Sequence, residues 1–103
     1  MTTFDERQRA FESKFAHDQE MMFKAESRRN RKIGLWAAEL LGLSGEEAEN
    51  YALDVIRTDF TKPGADVVIE KLVADLGATA DEATIRAKLA QCMAEAKVEL
   101  ADG

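Results

Sequence analysis

The chain has 103 residues, 46% of them hydrophobic and 33% charged, enough for one domain with a single small core. Twenty Asp and Glu against fourteen Lys and Arg give a net charge of −6, a poor balance for a general nucleic-acid binder, whose phosphate contacts need a basic face. One cysteine, Cys92, excludes an internal disulfide and a cysteine-based zinc site, and one histidine, His17, excludes a multi-histidine metal centre and argues against a Ser-His-Asp triad.

The start, Met1-Thr2-Thr3-Phe4-Asp5-Glu6, lacks the basic-then-apolar pattern of a signal peptide. No apolar run approaches the roughly 18–20 residues of a membrane span. A cytoplasmic protein is therefore expected.

In chain order, the residues predict helices throughout, hence an all-α fold. Ala, Leu, Glu, Lys, Arg, Gln and Met dominate, and β-branched residues never alternate over a strand length. Three Ser/Thr-x-x-Glu patterns, Thr3 to Glu6, Ser44 to Glu47 and Thr79 to Glu82, match a capping box, in which a hydroxyl accepts from an orphan amide. Gly42 and Gly77 follow leucines as left-handed caps would, and Pro63-Gly64 breaks the chain after Phe60. The predicted helices run from about Phe4 to Leu41, Gly45 to Phe60, Ala65 to Leu76 and Ala80 to Leu100. Connections this short favour antiparallel neighbours and a small four-helix bundle.

Each helix carries one apolar stripe at spacings of three and four. The expected core comprises Ile33, Trp36, Ala37, Leu40 and Leu41, then Ala48, Tyr51, Ala52, Val55 and Ile56. The later helices add Val68, Ile69, Leu72, Val73 and Leu76, then Ile85, Leu89, Cys92, Met93, Ala96 and Leu100.

Charge is unevenly placed. Residues 1–32 carry eight bases and six acids, a balance of +2, whereas the remaining 71 carry −8. Within this front, Phe4, Phe11, Phe15 and Met22 recur at steps of seven, four and seven, which is one helical stripe. It packs on the body as ordinary core or awaits a groove on a partner. Opposite charges four apart, Asp5/Arg9, Lys14/Asp18 and Glu20/Lys24, support a helix without tertiary contacts, each by only about 0.2–0.5 kcal/mol. The capped segments already close a core using only the first helix after residue 20. The front is therefore expected to be a mobile, partly helical arm.

Arg28-Arg29-Asn30-Arg31-Lys32 is the densest basic patch. It reads as a solvated helix shoulder, or as a contact for a protein, a nucleotide phosphate, RNA or anionic lipid; Arg28, Arg29, Arg31 and Lys32 are the candidate phosphate contacts. No aromatic platform accompanies it, which weakens the RNA reading. His17 is either an exposed helix residue or a pH sensor, since imidazole changes charge near neutrality. Cys92 reads as a small buried hydrophobe. Leu41-Gly42-Leu43-Ser44-Gly45 lacks the Lys-Ser/Thr of a phosphate loop, and no nucleophile–base pair emerges, so an enzyme is not expected. Beyond a partner-binding arm, the residues leave open a small nucleotide-binding module taking ADP or ATP and a general helical adaptor; no other cofactor is expected.

Four stretches together resemble one family. They are Phe4-Asp5-Glu6-Arg7, Phe11-Glu12-Ser13-Lys14-Phe15-Ala16-His17-Asp18, Arg28-Arg29-Asn30-Arg31-Lys32 and Gly34-Leu35-Trp36-Ala37-Ala38-Glu39-Leu40-Leu41-Gly42. Jointly they look like the zeta-subunit family, the ATPase-inhibitor subunit of alpha-proteobacterial F-type ATP synthases. The resemblance implies a four-helix bundle over residues 20–103 and a mobile inhibitory arm over 1–19. That arm would wedge into the catalytic head, at the alpha/beta subunit interface and central stalk, and stop hydrolytic rotation. Carried onto this chain, Phe4, Phe11 and Phe15 would be buried anchors, and Arg7, Arg9, Glu12 and Lys14 polar contacts. The expected place is cytoplasmic, peripheral to the membrane-bound synthase.

Overall fold

The computed structural model describes the backbone of residues 2–62 and 64–102, and the side chains of 19–62 and 64–101. Four helices follow one another: α1 (Thr2–Leu40), α2 (Gly45–Asp59), α3 (Asp66–Leu76) and α4 (Glu82–Asp102), with one 3-10 turn at Gly77–Thr79 before α4. Among the described residues there is no strand. The all-α, four-helix expectation holds, with boundaries shifted by one or two residues.

The punctuation partly follows the expected chemistry. Gly42 takes a positive φ of 78°, and Leu43 donates its N–H to the Ala38 carbonyl at 2.8 Å, closing α1 with the wrap-around bond of a Schellman cap. Gly77 also has a positive φ, of 55°. The capping boxes fare differently. Ser44 holds the N-cap position of α2 but makes no side-chain cap bond. Thr79 lies within the 3-10 turn, and Asp81 does the capping instead: its Oδ1 accepts from the Thr84 N–H at 2.8 Å. A carboxylate two residues nearer the helix reaches the orphan amide that Thr79 cannot. Thr3 lies inside α1, not before it.

The helices alternate up and down. Gly34 lies against Ala52 while the earlier Asn30 reaches the later Asp59, and Lys32 lies near Glu95 while the earlier Arg28 reaches the later Glu99, so α1 runs antiparallel to both α2 and α4. The core is one cluster of Ile33, Ala37, Val55, Val68, Ile69, Leu72, Leu76, Ile85, Leu89 and Cys92. Trp36 and Tyr51 pack against it half-buried. Cys92 is 2% exposed, and burial pushes its thiol pKa up, as an inert core cysteine requires.

Three expected core residues are exposed: Leu40 (41%), Leu41 (37%) and Val73 (36%). The leucines sit where α1 runs out into its turn, and Val73 lies at the edge of the α3 stripe set by Ile69, Leu72 and Leu76. Conversely Ala25 and Ala38 are buried, because small side chains let neighbours approach.

α1 is much the longest element, with 39 residues against 15, 11 and 21. At 1.5 Å per residue it spans about 58 Å, close to the molecule's long extent of 62 Å, against 24 and 21 Å in the other directions. Its partners α2 and α4 end near Phe23 and Met22, and the described contacts of α1 with them fall in its second half. The expected division into residues 1–19 and 20–103 falls inside this unbroken helix, not at a loop.

Candidate functional site

The basic run Arg28–Lys32 lies in the second half of α1, within the bundle. One α-helical turn carries these residues around the axis, so they face different neighbours. Arg28 reaches across to α4, its Nη1 3.3 Å from Glu99. Lys32 also joins Glu99, at 2.6 Å, and lies 3.7 Å from Glu95. Arg31 makes a two-oxygen contact with Glu49 of α2, at 2.9 and 2.8 Å. Arg29 is only 7% exposed. Its Nε donates to Asn30 Oδ1 at 3.0 Å, the Asn30 amide donates to Asp59 Oδ2 at 2.9 Å, and the guanidinium lies 3.6 Å from that carboxylate.

The patch is therefore not a solvated shoulder throughout. Arg29 and Asn30 are buried, and each of the four candidate phosphate contacts has a carboxylate within the chain. The hydrogen bond from Lys32 holds the Glu99 carboxyl below its ordinary pKa, and the same bond raises the Lys32 ammonium. A nucleotide phosphate here would have to displace these carboxylates.

The arm candidates Phe4, Arg7, Arg9, Phe11, Glu12, Lys14, Phe15 and His17 lie outside the residues with described side chains. So do the pairs Asp5/Arg9 and Lys14/Asp18, whereas Lys24 and Glu20 do pair, at 3.2 Å. The continuous backbone of α1 adds a relation that the spacing of four residues did not reveal. At about 100° per residue, the register line through Phe4, Phe11, Phe15 and Met22 passes within about 20° of Arg29 and Ile33. Both of these are buried in the bundle. The stripe of the front half thus continues the core-facing stripe of the second half.

At the boundary lies a collar of exposed apolar side chains. Met22 (42%), Phe23 (53%) and Phe60 (60%) face solvent, and the rings of Phe23 and Phe60 meet with centroids 5.7 Å apart. Leu100, near the end of α4, lines grooves with Met22 on one side and with Phe23 and Ile56 on the other. The sequence marked Met22 and treated Phe60 only as a helix end. Phe23 and Phe60 are 37 positions apart, so nothing local signals their contact.

Among the described residues, no group of three or more His, Cys, Asp or Glu side chains is placed to hold a metal ion, and no helix is long and apolar enough to cross a membrane.

Comparison with known proteins gives this geometry a context. No curated protein matches the chain. Three chains of solved structures do. One, described as a solution NMR structure, is 49% identical with a TM-score of 0.73, and the match covers 80% of this chain and 96% of that one. The family model for the ATPase inhibitor subunit zeta matches residues 1–99, taking in the bundle and the front half of α1 alike. The chain belongs to the ATPase inhibitor subunit zeta family.

Proposed function

We propose that this chain inhibits ATP hydrolysis by an F-type ATP synthase, with residues 1–19 inserted into the catalytic head at the alpha/beta interface against the central stalk. The observation that carries the proposal is the length of α1: its second half supplies the described contacts with α2 and α4, and the same apolar register continues along its first half. The family match extends over that half, which supports reading it as part of the inhibitor subunit.

Phe4, Phe11 and Phe15 act as the buried anchors. Burying one phenylalanine contributes about 1.5–3 kcal/mol, reduced by the cost of ordering. Arg7, Arg9, Glu12 and Lys14 supply polar contacts at the rim. The catalytic head must change shape to turn over, and a helix that binds one shape preferentially raises the barrier to leaving it. The bundle acts as the stop that limits insertion and fixes the orientation of α1. The protein works on the cytoplasmic side, peripheral to the membrane, as a regulator rather than a catalyst and with no cofactor of its own.

The test is ATP hydrolysis by purified synthase, titrated with the full chain and with a Phe4→Ala/Phe11→Ala/Phe15→Ala variant. The variant should lose inhibition at least a hundredfold while its thermal unfolding is unchanged. Removal of Met1–Gln19 should abolish inhibition. Full inhibition by either protein refutes the wedge. His17, inside the arm beside Asp18, tunes binding with pH; His17→Gln should flatten the pH dependence of inhibition between about pH 6 and 7, the range in which imidazole titrates.

A further inference from the structure

We propose that the collar of Met22, Phe23, Phe60 and Leu100 is a second docking surface for the same ATPase head, seated on an apolar ledge bordered by carboxylates. This rests on the reading of the arm as the inhibitory segment.

Three observations lead to the collar. First, three large apolar side chains are exposed at one place, and two of them, Phe23 of α1 and Phe60 at the end of α2, meet with their rings tilted by 36°. Monomeric proteins expose such side chains singly, and a cluster rimmed by polar groups marks an interaction site. Second, the collar is continuous with the arm. Met22 lies on the register line of Phe4, Phe11 and Phe15, and it follows Phe15 by seven residues, about 10 Å along the helix. A partner that closes over Phe15 meets the collar next.

Third, the charges around the collar are sorted. Lys24 is paired with Glu20, Arg28 with Glu99 and Arg29 with Asp59. Lys62 lines the groove beside Phe60, and Lys97 lines the groove beside Met22. Neither lysine forms an ion pair among the described residues, and in these two grooves the one acid without such a pair is Glu26, so the unpaired charge there is net positive. Two lysines flanking an aromatic pair fit a partner surface with acidic side chains at its edge.

The collar therefore sets how tightly the wedge is held, whereas the arm sets whether rotation stops. Aromatic side chains in a partner's pocket are where binding energy concentrates. The two elements separate in one experiment on full-length proteins. Binding to the purified head and inhibition of its ATP hydrolysis are measured for the unaltered chain, for Phe23→Ser/Phe60→Ser, and for the arm variant Phe4→Ala/Phe11→Ala/Phe15→Ala. The collar variant should bind about 10- to 100-fold more weakly, chiefly through faster dissociation, yet reach the same maximal inhibition at saturation. The arm variant should lose maximal inhibition.

A collar variant that binds within threefold of the unaltered chain overturns the proposal and leaves the wedge standing. An arm variant that still inhibits fully overturns the wedge, and the collar is then judged on binding alone. Should Phe23→Ser/Phe60→Ser lower the unfolding temperature, the exposed pair Lys62→Glu/Lys97→Glu replaces it. That pair should weaken binding at least tenfold at low salt, with the difference shrinking as salt is added; no change overturns the proposal. Sedimentation of the free protein distinguishes a second copy as occupant: a dimer that the collar variant dissolves overturns it as well.

Discussion

Beyond the shared apolar core, α1 meets α2 through close backbone approach, a buried polar cluster and one exposed ion pair, whereas its described polar contacts with α4 are ion pairs that water reaches. A Cβ built on Gly34 would lie 2.7 Å from the Ala52 Cα, so the two helices touch backbone to backbone. A few residues away, Arg29, Asn30 and Asp59 form a chain of polar contacts with only 9% and 13% of the Arg29 and Asp59 side chains exposed. Across the helix, Arg28, Lys32 and Glu99 are 43, 27 and 42% exposed. The α2 seam fixes the register of α1 and hence the direction in which its front half leaves the bundle. The α4 seam adds charge complementarity without fixing register as tightly, because exposed pairs are screened and flexible.

Breaking the α2 seam should cost most. Asp59→Ala removes the acceptor of the buried Asn30 amide and the carboxylate beside the buried Arg29 guanidinium. Loss of one partner from a buried pair costs about 3–5 kcal/mol, read as a fall in urea or thermal stability. Gly34→Val forces two backbones apart and should cost about 1–3 kcal/mol, since overpacking is relieved only by helix movement. At about 4–8 °C per kcal/mol for a domain of this size, both changes are visible in calorimetry. Each should also weaken inhibition, because the arm's exit angle changes with the seam.

The α4 seam responds to pH. The Glu99 carboxyl is held below its ordinary pKa, chiefly by the Lys32 hydrogen bond. Outside that seam, Asp75 of α3 is lowered as well: burial alone would raise its pKa, but hydrogen bonds from Lys71 of the same helix and Tyr51 of α2 outweigh it. A carboxyl lowered in the folded state stabilises the fold above its unfolded pKa, near 4, and that stability disappears as pH falls through the lowered value. Unfolding followed from pH 6 to pH 2 should therefore show a loss of stability beginning below about pH 4.5. Glu99→Gln should shrink that loss, with a smaller effect at pH 7 than either change at the α2 seam. A larger effect at pH 7 would reverse the ranking of the seams.

The helices were readable in advance because amphipathic periodicity is local: Ile69, Leu72 and Leu76, or Ile85, Leu89, Cys92 and Ala96, mark a core face on spacing alone. Gly42 declared the end of α1 for the same reason, since a Schellman cap needs a positive φ just past the helix. The cap of α4 was misread because Thr79 and Asp81 both fit a start, and only the 3-10 turn decides which side chain reaches the amide. Leu40, Leu41 and Val73 were assigned to the core because periodicity gives the stripe but not how far the neighbouring helix extends to cover it.

The candidate site divides the same way. A phenylalanine stripe and a basic run are visible along the chain, because each lies within one helix. That Arg29 is buried against Asp59, that Lys32 is committed to Glu99, and that Phe23 meets Phe60 depend on residues 30 to 67 positions away. By itself the sequence determined the helices, their stripes and the surplus length of α1, all products of backbone geometry and side-chain spacing. Only the tertiary structure decided which charges are neutralised and which apolar side chains stay uncovered, because those outcomes depend on where other helices begin and end.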